Sequence, residues 1–423
     1  MAGPPSGTLT DERPVHADVP PDGSEAPGPA GGADGDGSPP SVVRRPGRDR
    51  RPRHQIARLI AAAVVLAAAV SVVGFVRGDG PFVAAGPVDP DSSSDATAPV
   101  APVPATAASG LLVITGLFDQ ADLVVLAGVD NSGKTGSVLL LPTGTQIETP
   151  SFGLQPLSAL PPLGGGPLLD NSVENMLGVS VSSTAVINDL GAVYVLEPAG
   201  SFDIRLRAPV RIETPNATYT WPAGQQKIDT AAAARLIAYP HVGSDLDRLV
   251  GVQAVLEGWM KQLRQPAVAS ATLARNPALA PLIAAAGAEV MFDVLPVRSV
   301  SNTVGAPRYL LDRDALPELV ERMYPDLLIG TPGERPLVEI LNGTGTIGLA
   351  QRVAEKIVPA GGEITLSGNV PGFGQTQTLV VYYRDEDAAA AAKLRDALGV
   401  GRVEKARTTL GVIDITIVAG ADF

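Results

Sequence analysis

Apolar residues along the chain are distributed in three ways. From 59 to 76 stands an unbroken apolar run, "LIAAAVVLAAAVSVVGFV", without a single charge. From about 111 to 325, short apolar runs alternate with longer periodic stretches. The runs at 111–115, 123–128, 137–142, 184–188 and 192–196 have strand length and β-branched character, which predicts five strands. The segments at 167–177, 228–238 and 246–264 carry helical spacing instead. On the last of these, Leu246, Leu249, Val250, Gln253, Leu256 and Met260 lie close to one helical face, a stripe read as plain core. Alternating strands and helices predict an α/β domain. From 337 to 423 the order reads β-α-β-β-α-β, a small α+β domain with helices on one face. Its first helix, 346–358, carries Ile347, Leu349, Val353 and Ile357; its second carries Ala388, Ala391, Leu394 and Leu398.

The unbroken run decides the topology expected of the chain. With Ile56 and Ala57 it approaches the roughly 20 residues needed to cross a bilayer. Arg44, Arg45, Arg48, Arg50, Arg51, Arg53 and Arg58 precede it. This flank predicts one N-terminal transmembrane helix over 56–76, with residues 1–55 a disordered cytoplasmic tail and the bulk of the chain extracytoplasmic at the cell membrane. A cleaved signal peptide fits less well, because the basic region lies far from the N-terminus and no small-x-small site follows. The alternative use of the arginines, nucleic-acid binding, is disfavoured by their contact with the apolar run. Residues 77–110 form a Pro/Ala/Ser spacer, and 326–336 a Pro/Gly linker between two globular domains, 111–325 and 337–423.

Composition removes several kinds of chemistry. A net charge of −12 argues against general nucleic-acid binding. No Cys is present, so disulfides, thiolate metal sites and cysteine nucleophiles are excluded. The three His, His16, His54 and His241, cannot build a His-x-x-x-His metal pair.

One motif invites a nucleotide reading. "GVDNSGKT", 128–135, fits G-x-x-x-x-G-K-[ST] behind a strand. That mechanism needs a helix opening at the Lys, with its N-terminus facing the phosphates. Here "TGSVLLL" follows, a second strand, so the stretch is expected to be a β-hairpin with Asn131, Ser132 and Gly133 in its turn and Lys134 a solvated charge. No nucleotide is expected.

The hairpin, the helix–strand series "LLDNSVENMLGVSVSSTAVINDLGAVYVL" and the segment "YTWPAGQQKIDTAAAARLIAYPHVGSDLDRLVGVQAVLEGWMKQL" come in an order that resembles the LytR-CpsA-Psr family, over roughly 111–325. The trailing "VLPVRSV … YLLDRDALPELVERMYP" resembles the end of the family's actinobacterial form, and "VEILNGTG", "VVYYR" and the closing "VAGADF" resemble the LytR C-terminal domain attached to many of its members. The resemblance implies a mixed sheet with helices on both faces (α/β/α). It implies a cell-wall role: transfer of lipid-linked glycopolymers to the wall, with a polyprenyl diphosphate held by arginines and Mg²⁺. Buried diphosphate oxygens require such donors.

The charged pattern implied by the resemblance is largely missing. Where the family has Arg-x-Asp, this chain has Gln120-Ala121-Asp122; at Pro-Arg-Asp it has Pro142-Thr143-Gly144. Tyr239-Pro240-His241 replaces Arg-x-Arg, and Asp245 and Arg248 are followed by Gly251 in place of a second Arg. The surviving candidates are Asp122, Asp245 and Arg248, with Asp122 the one candidate for metal. Each also has an ordinary role: Asp245 and Arg248 pair at i, i+3, Asp245 caps with Ser244, and Asp122 ends a strand. His241 is expected to be an exposed loop residue. Losing one transition-state donor costs on the order of 10²–10³ in rate, so a non-catalytic binding, scaffold or regulatory member is expected, with no cofactor. The alternative is an active, Mg²⁺-dependent phosphotransferase in which Arg205, Arg207 or Arg235 has taken over. In either case the expected partners are the membrane, through 56–76, and a polyprenyl-linked precursor, a wall polymer or envelope proteins. "NGTG" before the first C-terminal helix resembles a phosphate loop but reads equally as turn and cap residues, Asn342 and Thr344.

Overall fold

The computed structural model describes residues 106–300, 307–407 and 412–423. The tail 1–55, the run 56–76 and the spacer up to 105 lie outside the described residues. The first strand among the described residues begins at Ala108, three residues before the expected boundary.

Five strands build the first sheet: β1 (Ala108–Thr115), β2 (Ala121–Val129), β3 (Thr135–Leu141), β4 (Ser183–Asn188) and β5 (Glu289–Val294), in the order β5-β3-β2-β1-β4. β2 is antiparallel to both of its neighbours, β1 and β3, while β4 runs parallel to β1 and β5 parallel to β3, so the sheet is mixed. The central strands are apolar at almost every position because both faces are covered. Leu112, Ile114, Leu123, Val125, Val138 and Leu140 enter one core; Leu111, Val113, Val124, Leu126, Leu139 and Leu141 enter the other.

The second core is closed by α1 (Leu160–Leu177), interrupted at left-handed Gly165, and by a later helix described below. The first is closed by α2 (Asp189–Leu196), α3 (Thr230–Ala238), α4 (Asp245–Leu263), α5 (Pro266–Arg275) and α6 (Ala280–Gly287). The arrangement is α/β/α. The expected stripe on α4 is core only in part. Leu249, Leu256 and Met260 are buried, Val252, Val255 and Trp259 join them, and Leu246 is exposed.

The segment 192–196, expected as a strand, is the end of α2. Asn188 caps it, its side chain accepting from Gly191 N–H at 2.8 Å, and Ala192, Val195 and Leu196 are buried at helical spacing. Cap and packing outweigh the β-branched composition. α6 lies close against β3: a Cβ on Gly136 would stand 2.4 Å from the Ala285 carbonyl oxygen. Gly136, next to the nucleotide-like motif, is thus fixed by packing. The motif itself is a hairpin as expected. Gly133 is left-handed, and the Asp130 carboxylate accepts from Lys134 N–H and Thr135 N–H at 3.0 and 3.2 Å. Lys134 is exposed.

The helix that completes the second core is α7 (Leu316–Met323). The C-terminal domain contains β6 (Leu337–Asn342), α8 (Leu349–Ile357), β7 (Glu363–Asn369), β8 (Leu379–Tyr382), α9 (Ala388–Leu398), β9 (Arg402–Lys405) and β10 (Ile415–Ala419). The sheet order is β7-β6-β10-β8-β9. β9, an edge strand of four residues, adds one element to the expected β-α-β-β-α-β order. α8 and α9 share one core with the sheet.

Segment 326–336 is docked against both domains. Ile329 N–H donates to the Gly178 carbonyl at 2.7 Å, and buried Arg335 donates to the carbonyls of Asn175 and Gly362. Asn175 on α1 acts as a side-chain continuation of the second sheet, bonding both the N–H (2.7 Å) and the C=O (2.9 Å) of Ile364.

Candidate functional site

The end of the first sheet where β1 stops and β2 starts holds the three surviving charged residues. β1 turns at Gly116, whose N–H donates to Gln120 C=O at 2.9 Å. The turn carries two consecutive non-glycine residues in the left-handed region, Phe118 and Asp119, a conformation unfavourable for side chains with a Cβ. A Cβ at Gly116 would sit 1.9 Å from Asp122 Oδ2, so the Asp122 carboxylate lies directly over this glycine.

α4 opens beside this turn. Ser244 caps it, accepting from Asp247 N–H at 3.0 Å, and Asp245 and Arg248 follow in the first turn. Arg248 is only 4% exposed. Its guanidinium donates to three backbone carbonyls: Asp122 at 2.7 Å, Ile237 at 2.8 Å and Tyr239 at 3.1 Å. Its ion pair with Asp245 is loose, 3.8 Å. The structure therefore unites Asp122, Asp245 and Arg248, with Arg248 tying the start of β2 to the end of α3. Burial pushes the carboxyls of Asp122 and Asp245 above the usual range, with Arg248 opposing the shift. Burial lowers Arg248, against Asp245 and Asp122.

A third acid stands nearby. Asp189, in the first turn of α2, adds to the upward shift of Asp122 and accepts from the Tyr239 hydroxyl at 3.4 Å. The sequence shows Asn188-Asp189 as a cap-like pair, but reading 192–196 as a strand hid it.

Of the positions where the resemblance implies charge, Gly144 and Gly251 are filled by other parts of the chain, while Gln120 is exposed. At Gly144 a Cβ would stand 2.1 Å from the Pro307 carbonyl oxygen. Segment 307–311 lies across this position, with Tyr309 N–H donating to Gly144 C=O at 3.1 Å. At Gly251 a Cβ would stand 2.9 Å from His241 Cε1 and 3.4 Å from Val210 Cγ2. The expectation of an exposed His241 is corrected: the ring is half-buried on Gly251, with Nε2 2.8 Å from the Leu236 carbonyl oxygen. Burial pushes its pKa down to about 4, with the Leu236 hydrogen bond opposing and nearby Arg248 adding to the fall.

Arg205 and Arg207 are exposed, and the Arg235 guanidinium stacks on the Tyr219 ring at 4.0 Å. Of these three, Arg207 reaches the site's margin. It lines a cavity of about 260 Å³ together with Val210, His241, Asp247, Arg248 and Gly251. Among the described residues, no three His, Asp or Glu side chains group as a metal site. The Asp245 carboxylate stands 3.8 Å from the Arg248 guanidinium, and Asp122 meets the same guanidinium through its backbone carbonyl.

Residues 336–423 match the family model described as LytR cell envelope-related transcriptional attenuator, LytR_C. The C-terminal domain belongs to this family. No curated protein matches the chain. Solved structures similar to it include TagV of B. subtilis, at 14% identity and a TM-score of 0.44, covering 52% of this chain and 97% of that one. TagT bound to LI-WTA is similar at 19% identity and a TM-score of 0.41, covering 52% and 90%. A putative transcription regulator from Eubacterium siraeum is similar at 10% identity and a TM-score of 0.45, covering 57% and 100%. At this distance the likenesses do not assign the central domain, whose function rests on its own residues.

Proposed function

We propose that the protein is a membrane-anchored, extracytoplasmic cell-envelope protein of the LytR-CpsA-Psr type whose central domain binds or scaffolds and does not transfer. The LytR_C domain supports the envelope assignment. The charge-free run after a basic flank supports the anchor. The observation that carries the non-catalytic reading is the filling of two of the positions where the resemblance implies charge. Gly144 faces the Pro307 carbonyl and Gly251 faces His241, while Arg248 directs three of its five N–H groups at backbone carbonyls. A buried diphosphate would meet too few donors to offset its desolvation. The central domain's partner under this reading is a polyprenyl-linked precursor, a wall polymer or another envelope protein.

The test is turnover of a polyprenyl-diphosphate-linked glycan by the full chain with Mg²⁺. No release of the polyprenyl product is expected; steady turnover that requires the metal would make the domain a phosphotransferase. Topology is tested separately. External protease on spheroplasts should remove the LytR_C domain, and protection of that domain would refute the extracytoplasmic placement.

A further inference from the structure

The C-terminal domain and the hairpin Gln146–Pro156 of the central domain enclose a second cavity, of about 340 Å³. Its size lies at the small end of the range for ligand pockets, about 300–1,000 Å³. The hairpin contributes Ser151; the loop before α8 contributes Thr346 and Ile347; β7 and the loop after it contribute Ser367, Asn369 and Phe373. The two domains are held in register here by the Ser367 hydroxyl, which donates to Glu148 at 2.7 Å.

Three properties of this lining restrict its ligand. First, no side chain among the described lining residues is ionisable, so neither a phosphate polymer nor a carboxylate would find its counter-charge. Second, the polar groups are neutral hydroxyls and amides, which both donate and accept. Third, large apolar groups stand open to solvent at the rim: Ile347 is 97% exposed, and the half-exposed Phe373 ring packs against Gly345, where a Cβ would lie 3.3 Å from the ring. A flat apolar face beside neutral hydrogen-bonding groups matches a sugar ring, which presents hydroxyls at its edge and C–H groups on its face. An extended peptide is the less suitable occupant. It would add to the edge of β7, but the start of that edge, at Ile364, is already bonded to Asn175, which shortens the edge open to it.

We propose that this interdomain cavity is a binding site for an uncharged saccharide segment. The site is independent of the central one, so turnover or its absence there does not bear on this proposal.

The experiment titrates the full-length protein with chitotetraose, maltotetraose and an anionic glycerol-phosphate oligomer, followed by calorimetry or saturation-transfer NMR. At least one neutral tetrasaccharide is expected to bind with a Kd below about 1 mM. Phe373→Ala and Asn369→Leu, both at exposed positions, are each expected to weaken it at least about tenfold. Leu190→Ser, exposed on α2, should leave it unchanged. The difference between the two sugars identifies whether N-acetyl groups are read. The proposal is overturned if neither sugar binds, if binding ignores Phe373→Ala and Asn369→Leu, or if only the anionic oligomer binds. A melting temperature unchanged by the two variants separates loss of the site from loss of the fold.

Discussion

Replacing Arg248 with Met distinguishes a structural arginine from a ligand-holding one. The substitution keeps most of the aliphatic volume and removes three hydrogen bonds, at 2.7, 2.8 and 3.1 Å, together with the 3.8 Å ion pair to Asp245. A hydrogen bond from a charged donor contributes about 1.5–3 kcal/mol. The simple sum overshoots here, because three bonds made by one guanidinium are not additive. Breaking a buried ion pair from one side costs about 3–5 kcal/mol, and this range sets the expectation for Arg248→Met. Urea unfolding of the full chain, followed by tryptophan fluorescence, measures it. Trp259 is buried on the same helix and reports on the same core. Arg207→Met, at an exposed position, is the control and should change stability by less than about 0.5 kcal/mol. An Arg248→Met protein within about 1 kcal/mol of the original would mean that the guanidinium is not committed to the fold. The non-catalytic reading would then lose its main support.

Four further outcomes are expected. Gly251→Arg, which reinstates the charge implied by the resemblance, should displace His241 and destabilise by about 1–3 kcal/mol, seen as a lower melting temperature; a neutral or stabilising effect contradicts the packing at Gly251. His241, held near 4 against an ordinary 6.5, leaves the unfolded chain binding more protons between these values. Its contribution is thus fully present above about pH 6.5 and lost as pH falls towards 4; because the raised acids Asp122 and Asp245 act in the opposite sense, the readout is the stability of the original protein relative to His241→Gln, which should fall as pH is lowered from 6.5 towards 4. Lys134→Ala should leave stability within about 0.5 kcal/mol, and Mg²⁺-dependent ATP binding abolished by it would revive the phosphate-loop reading. Asn175→Leu strands both backbone groups of Ile364 and should split thermal unfolding into two transitions, one per domain; a single unshifted transition counts against this joint.

What could be read from the sequence was decided by how local each determinant is. The hairpin at 130–134 needs only its own turn residues and the strand after it, and both were visible. The two-sided burial of β1–β3 was visible as unbroken apolar runs. The helix at 189–196 was not, because its composition favours a strand and the deciding cap at Asn188 acts through a single side chain. The edge strand Arg402–Lys405 has four residues and no run of apolar positions to mark it. At the candidate site the loss of charge was legible, since it needs only residue types. What replaced the charge was not. Pro307 reaches Gly144 across more than 160 positions of chain.

That replacement bears on whether such a site can revert. If the lost side chains had left space, one substitution would return a charge to a water-filled position. Here Gly144 accepts a strand segment through its Tyr309 hydrogen bond, and Gly251 accepts the His241 ring. Both of these positions have become packing contacts, and the close-packed interior resists extra volume. Restoring a charge at 144 requires segment 307–311 to move; restoring one at 251 requires His241 to leave the Leu236 carbonyl. The two changes involve different segments and cannot compensate each other. Freeing Arg248 for a ligand would leave three carbonyls without their donor. Conversion to a diphosphate clamp therefore needs several coordinated changes, so the proposed non-catalytic reading rests on the packing at these positions and not on any single missing arginine.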